Sequence, residues 1–350
     1  MIEWGNTTLS VEGENGQMEA QASKTVFAKP EDLYQDIQQG LDQVSRILIC
    51  SHIRPDGDAV GSLLGLGLAL QEAGKEVQMV LEDVAPKIFK SLPGYKSIQR
   101  RPVGPFDFII VVDCSDLPRV GKVLGDLAQP DLNIDHHITN LNFAKINLVD
   151  PSAAATSAIL AEHLPKLGFA LSNNVAPALL TGVVCDTIGF RTSNMTSKVL
   201  RLAADLMDCG ANLPELYQKA LVQRSYQSTR YWGSGLIKLQ RENGLVWTSL
   251  TLKERGAAMY PGSDDADLIN VMSSIDDAEV AVIFIEQKDN RVKVSWRSQN
   301  GIDVSQIALK FGGGGHPAAS GADIPGDMAT VQTNVLEATR PLLLNGRSKS

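Results

Sequence analysis

Four apolar runs in this chain each stop on carboxylates or imidazoles, and that recurrence constrains the fold more than any other feature. Leu132-Asn133-Ile134 leads into Asp135-His136-His137, and Val111-Val112 into Asp113. A run closing at Ser51 leads into His52-Ile53-Arg54-Pro55-Asp56-Gly57-Asp58, and Val183-Val184-Cys185 into Asp186. Arg46–Ser51, Lys75–Leu81, Phe106–Val112 and Leu132–Ile134 read as short buried strands. Helical patterns fill 31–45 and the Gly-, Ala- and Leu-rich Gly57–Ala73. Such alternation predicts an α/β protein with a parallel sheet. Ligands of open parallel sheets gather beyond the carboxyl ends of the strands, so His52, Asp113 and Asp135–His137 should converge there. Ala153–Leu167 and Ser197–Gly210 read as amphipathic helices, and Pro177–Asp186, apolar throughout, as a buried helix.

With 350 residues the chain has room for two cores. Residues 1–30, polar and without periodicity, read as a flexible extension. The expected organisation continues with a metal-binding domain over 31–212, a connecting helix over 213–229, a smaller α/β substrate-binding domain over 230–340 and a tail over 341–350. The active site is expected in the cleft between the two domains. In the second domain, strands are expected at Leu236–Leu239, Leu245–Leu250, Glu279–Glu286 and Arg291–Arg297, with helices at Asp264–Ser274 and Val304–Phe311.

Charge narrows the function. The formal net charge is -8, which leaves no global basic field for long nucleic acid. The deficit is concentrated in residues 1–229, with 19 Lys/Arg against 26 Asp/Glu, as suits carboxylates neutralised by bound cations. Cys50, Cys114, Cys185 and Cys209 show no CxxC pairing and read as small apolar fillers rather than a disulfide framework or zinc knuckle. With no basic-then-apolar leader and no membrane-length apolar stretch, the expected setting is the reduced cytoplasm.

The chemistry follows from the donor types. His52, Asp56 and Asp58 share one turn between a strand and a helix, stiffened by Pro55 and allowed to curve by Gly57. Asp113 and Asp186 close apolar runs where a buried, unpaired carboxylate would be costly, a cost that bound cations remove. Asp116 reads as a turn residue and His163 as structural. Mixed imidazole and carboxylate donors suit Mn²⁺, with Mg²⁺ or Co²⁺ as alternatives. Two such ions about 3.5–4 Å apart activate water and clamp a phosphoryl group without a protein nucleophile. A second signal is the glycine run Gly312, Gly313, Gly314 and Gly315 before His316. Its bare backbone N–H groups can approach an anion, with Arg297 and Ser298 adding charge and hydrogen bonds.

These residues resemble the DHH phosphoesterase superfamily from about residue 40 to 325. His52-x-x-Pro55-Asp56-Gly57-Asp58-Ala59 is similar to its first motif, Val111-Val112-Asp113 to its second, Asp135-His136-His137 to its namesake and Asp186 to its fourth. Gly312–Gly321 resembles the DHH-associated C-terminal domain. The order and length of both halves are similar to the branch of bifunctional oligoribonucleases and 3'-phosphoadenosine-5'-phosphate phosphatases. The resemblance implies one metal on His52, Asp56 and Asp113, and a second on Asp58, Asp113, His136 and Asp186, with Asp113 bridging. It implies His137 at the scissile phosphate, supported by Asp135, and the nucleotide held by Arg297, the glycine loop and His316. The expected activity is hydrolysis of short oligoribonucleotides to mononucleotides and of 3'-phosphoadenosine-5'-phosphate to AMP. Expected partners are short RNA or nucleotides, with no long nucleic acid and no membrane; a homodimer is compatible with this. A cyclic dinucleotide phosphodiesterase is the rival enzyme and a nucleotide-binding regulator the rival outside catalysis.

Overall fold

The computed structural model describes residues 28–125, 127–299 and 301–346, so most of the expected extension over 1–30 lies outside the described residues. Two compact units divide between Gln223 and Arg224. The first contains, in order, α1 (Pro30–Asp42), β1 (Arg46–Cys50), α2 (Gly57–Glu72), β2 (Glu76–Val80), β3 (Phe108–Val112), β4 (Leu132–Asp135) and β5 (Ile146–Val149). Helices α3 (Thr156–His163), α4 (Val175–Asp186), α5 (Ser197–Asp208) and α6 (Leu213–Tyr217) complete it.

The five strands are parallel in the order β2-β1-β3-β4-β5. Ile47 and Ile49 of β1 face the large helical core, while Leu48 and Cys50 face a smaller layer with Val120, Val123 and Phe143. Both faces are therefore apolar, which is why the strands read as continuous rather than alternating runs. Strand order reverses between β1 and β3, and a doubly wound sheet opens a crevice at such a point. β5 was not expected: it is short, and Asn147 interrupts it to bond Ala144 through both its amide groups.

Glycine sets how closely α2 meets α4. Gly57, Gly61 and Gly65 recur every fourth residue, forming one ridge along the helix. A Cβ on Gly57 would stand 2.2 Å from Cys185 Sγ, and one on Gly65 2.3 Å from Leu179 Cδ2. On Gly61 it would meet backbone, 2.6 Å from the Ala178 carbonyl and 2.8 Å from the Gly182 nitrogen. This contact places the N-terminus of α2, with Asp58, beside the C-terminus of α4, with Asp186.

Two expectations for the first unit are corrected. Instead of an amphipathic helix over Ala153–Leu167, α3 is short and buried on nearly every face. Pro165, which has no N–H to continue the ladder, opens a 3-10 turn over Pro165–Leu167. Nor is 213–229 simply a connector: Leu216 and Ala220 belong to the first core, and Tyr231 of the following helix to a core of the second unit.

The second unit contains α7 (Tyr226–Leu236), β6 (Gln240–Glu242), β7 (Leu245–Leu250), α8 (Leu252–Ala258), α9 (Leu268–Met272), β8 (Val280–Gln287) and β9 (Arg291–Ser298). α10 (Ser305–Lys310), β10 (Gly314–His316), β11 (Ala319–Pro325) and α11 (Met328–Gly346) follow. Its six strands run in the order β10-β11-β9-β8-β7-β6, parallel only between β7 and β8. Alternate residues of β8 enter opposite cores, Val280, Val282 and Phe284 on one face and Ala281, Ile283 and Ile285 on the other.

Here the expected strand at Leu236–Leu239 is instead the end of α7, with turn bonds from Ile237 to Gly233, Lys238 to Gly235 and Leu239 to Leu236. The expected helix over Asp264–Ser274 shrinks to α9, because Ala266 and Asp267 both have positive φ and break the helical path. The glycine run is half strand, since Gly314–His316 pairs with Ala319–Gly321 as β10. The expected tail over 341–350 begins as helix, α11 continuing to Gly346 with Leu343 buried.

Gly61→Ala should destabilise the protein by about 1–3 kcal/mol, because overpacking against backbone exceeds the ~1 kcal/mol gained in helix propensity. Thermal unfolding should show a Tm lowered by roughly 2–12 °C. A raised Tm would mean that α2 and α4 separate without penalty.

Candidate metal centre

The crevice at the β1/β3 switch collects every metal ligand expected from the sequence. Three donor groups are close enough to hold an ion: His52-Asp56-Asp113, Asp58-His136-Asp186 and Asp113-His136-His137. Asp113 stands at the centre. Its Oδ2 lies 3.5 Å from His52 Nε2 and its Oδ1 3.8 Å from His136 Nε2, so its two oxygens face different imidazoles. Asp56 Oδ2 is 3.9 Å from His52 Nε2, and Asp186 Oδ2 is 3.7 Å from His136 Nε2.

Local structure explains each placement. Asp56 is the N-cap of α2, its Oδ1 accepting from the N–H groups of Asp58 and Ala59, which leaves Oδ2 toward His52. His52 Nδ1 pairs with the Ile53 carbonyl at 2.8 Å, directing Nε2 toward the carboxylates. Asp113 follows β3 with φ of 53°, a left-handed conformation that aspartate tolerates better than most residues. At the end of β4, Asp135 is fully buried and holds His137 Nδ1 at 2.6 Å. The rings of His136 and His137 meet edge to face, so adjacent residues serve different directions.

Several contributors were not identifiable from the motifs. Thr156 donates its hydroxyl to Asp113 Oδ1 at 3.0 Å and its N–H to Asp58 Oδ2 at 2.6 Å, while Ser157 N–H reaches Asp58 Oδ1 at 3.0 Å. Asp58 therefore satisfies the first N–H groups of α3 while facing the donor cluster. Asn140 spans the loops after β3 and β4, donating to Asp135 Oδ2 at 2.6 Å and toward the Cys114 carbonyl at 3.2 Å. Asn133 bonds the carbonyls of Val111 and Cys114. Its one visible signal was a polar residue inside an apolar strand.

Electrostatics tests whether cations fit. Asp58, Asp113 and Asp135 are almost fully buried, and Asp186 sits on the last turn of α4, where the helix dipole disfavours negative charge. Burial, with Asp113 and Asp186 nearby, pushes the Asp58 carboxyl well above its usual range. Burial also raises Asp186 to about 6, against the pull of His136. Burial opposes the charged form of His136, but Asp113, Asp58 and Asp186 outweigh it and hold the ring at about 9. Asp113 is held well below the carboxylate range, since His52 and His136 outweigh burial. Without cations, protons must neutralise the cluster. A hard-donor set of this kind fits divalent cations.

The remaining expectations divide. Asp116 caps the 3-10 turn over Leu117–Val120, and His163 is a buried structural residue bonded to Tyr34. None of the four cysteines forms a disulfide, and burial pushes the Cys114 thiol up to about 12, as expected of a packing residue. In the second unit, Arg297 pairs with Ala319 across β9 and β11, beside the β10 hairpin. Its guanidinium donates to the Trp296 carbonyl. Ser298 shares its hydroxyl between the carbonyls of Ile302 and Pro317, which commits it to closing the loop. Gly313 and Gly315 are required by backbone contact with β11, whereas around Gly312 and Gly314 a Cβ would meet nothing within 4 Å. The side chain of His316 lies outside the described residues.

Comparison with known proteins agrees with both halves. The pattern of the DHH family, N-terminal domain, matches residues 46–183, and that of the DHHA1 domain residues 263–340. The bifunctional oligoribonuclease and PAP phosphatase NrnA of Thermus thermophilus is 35% identical over 299 residues, covering 84% of this chain and 89% of that protein. The protein of the same name from Bacillus subtilis is 26% identical, covering 79% and 89%. The crystal structure of an exopolyphosphatase-related protein from Bacteroides fragilis superposes with a TM-score of 0.83 at 26% identity, covering 89% of this chain and 98% of that one.

Thr156→Val should weaken divalent-cation binding, read with Mn²⁺ as the probe, roughly tenfold at unchanged fold, because it frees Asp113 to turn, while Thr156→Ser should bind almost normally. Titration calorimetry with parallel thermal melts separates that effect from unfolding, and equal affinities for both variants would remove the orienting role. Binding should also tighten as pH rises from 6 toward 9, since His136 must lose its proton before it can coordinate. Calorimetry at pH 7 in two buffers should register proton release, and its absence would contradict this charge state.

Proposed function

The chain belongs to the DHH family, carrying its N-terminal domain and a DHHA1 domain, and from that premise we propose a metal-dependent phosphoesterase of short nucleotides. Its reaction is hydrolysis of short oligoribonucleotides to mononucleotides and of 3'-phosphoadenosine-5'-phosphate to AMP, with Mn²⁺ as the preferred ion. The observation that carries this reading is the position of Asp113, whose two oxygens face separate donor groups.

Divalent cations, when bound, supply Lewis acidity toward a phosphoryl oxygen and a water that is nucleophilic at neutral pH. The chain's own groups do the rest. His52, Asp56 and Asp113 form one set of donors, and Asp58, His136 and Asp186, again with Asp113, the other. His137 is assigned to a non-bridging oxygen of the scissile phosphate, where it stabilises charge as the phosphorus–ester bond breaks. Asp135 fixes the orientation of that ring through Nδ1. In the second unit, Arg297, Gly312–Gly315 and His316 are assigned to the nucleotide. The open surroundings of Gly312 and Gly314 support close approach of an anion to bare backbone.

Asp113→Asn keeps the size and the left-handed backbone preference while removing the charge, so the fold should persist. With Mn²⁺ present, turnover of a two-to-five-nucleotide RNA and of 3'-phosphoadenosine-5'-phosphate should fall by at least 10³-fold, roughly the loss of one strong transition-state contact. Wild-type turnover in that variant would refute the bridging assignment. A wild-type preference for cyclic di-AMP would move the protein to the cyclic dinucleotide phosphodiesterases, and nucleotide binding without turnover would make it a regulator.

A further inference from the structure

An acidic chain contains one basic stretch that the metal centre does not use. Between Asp83 and Asp107 the sequence carries Lys87, Lys90, Lys96, Arg100 and Arg101, and no Asp or Glu. None of these five cations forms an ion pair among the described residues. Unpartnered like charges repel one another, and a bound anion relieves that repulsion.

Two of them reach a concavity of about 780 Å³ on the first unit, within the size range of ligand pockets. Its rim carries Arg100, Arg101 and Lys122, and its apolar lining includes Pro102, Leu124 and Leu127. Glu82 is the carboxylate on the wall, and it accepts the backbone N–H of Lys122. Arg100 is pre-positioned, its Nε donating to the Glu82 carbonyl at 2.7 Å. Cationic rim and apolar lining together suit a nucleotide, with phosphate on the cations and sugar or base on the carbon surface.

The location connects the pocket to the reaction. β1 and β2 are parallel neighbours with Cys50 opposite Val80, so His52 and Glu82 both follow the carboxyl ends of adjacent strands. The loops are joined: Ile53 N–H donates to the Arg119 carbonyl at 2.7 Å, and Arg54 N–H to Asp83 at 2.7 Å. Gly121 allows this, because a Cβ there would strike both Glu82 and Ile53.

We propose that the Arg100–Arg101–Lys122 pocket is an anion subsite for the phosphodiester backbone of an oligoribonucleotide beyond its scissile bond. It rests on the phosphoesterase reading above and adds a length preference to it: an oligonucleotide reaches this pocket and 3'-phosphoadenosine-5'-phosphate does not. The test is R101Q/K122Q, which leaves the anchored Arg100 in place. KM for a five-nucleotide RNA should rise roughly tenfold and its salt dependence should lose about one unit of slope per cation removed. Turnover of 3'-phosphoadenosine-5'-phosphate should stay at the wild-type level. Parallel losses on both substrates, or no change on either, would overturn the subsite. A labelled five-nucleotide RNA titrated in EDTA separates this from the activity itself. If wild type lacks turnover yet binds more tightly than R101Q/K122Q, the catalytic reading fails and the subsite stands; equal binding removes the subsite. Binding of AMP or inorganic phosphate as tight as that of the RNA would indicate a separate small ligand and also overturn it.

Discussion

Repulsion among buried carboxylates is the constraint on which the first unit depends. Asp58, Asp113 and Asp186 surround His136, two of them almost without solvent and the third at the unfavourable end of α4. The fold meets this with N–H and O–H donors from behind: Thr156 and Ser157 from α3 and Ser62 from α2, while Asn140 from the loop after β4 does the same for the buried Asp135. Those donors orient the oxygens but do not neutralise them. Neutralisation is left to protons or cations, and the arrangement favours cations because it offers imidazole nitrogens alongside oxygens.

The strands and the clustering of carboxylates with imidazoles were legible because each is written locally. An apolar run that ends on Asp113 or His52 states both the strand and its reactive end. Less legible were features set by tertiary partners. Asp58 looks like a helix-start residue, and only the approach of α3 shows that it satisfies Thr156 and Ser157 as well. Leu236–Leu239 has strand-like composition, yet the turn bonds of α7 run through it. The sequence of the glycine run points to bare backbone open to an anion, whereas the need for two of its glycines comes from β11, several residues further on.

Glycine has a different task in each unit. Along α2 it removes side chains so that two helices can touch and bring Asp58 to Asp186. In β10 it lets a hairpin lie against its neighbour, with Gly315 at φ of 139°. The glycines of α2 carry no chemistry themselves, but the donor geometry of the first unit depends on the contact between α2 and α4. That is a reason for a catalytic protein to keep a helix with poor intrinsic propensity.

The left-handed backbone at Asp113 bears on how such a site could decay. Most replacements there would incur conformational strain as well as removing the central carboxylate of the donor cluster, whereas asparagine and glycine would keep the turn between β3 and its loop intact. A descendant that abandoned catalysis but kept its shape would therefore be expected to pass through Asn or Gly at this position. Carboxylate chemistry and backbone conformation select aspartate independently, so inactivation without misfolding has a narrow route.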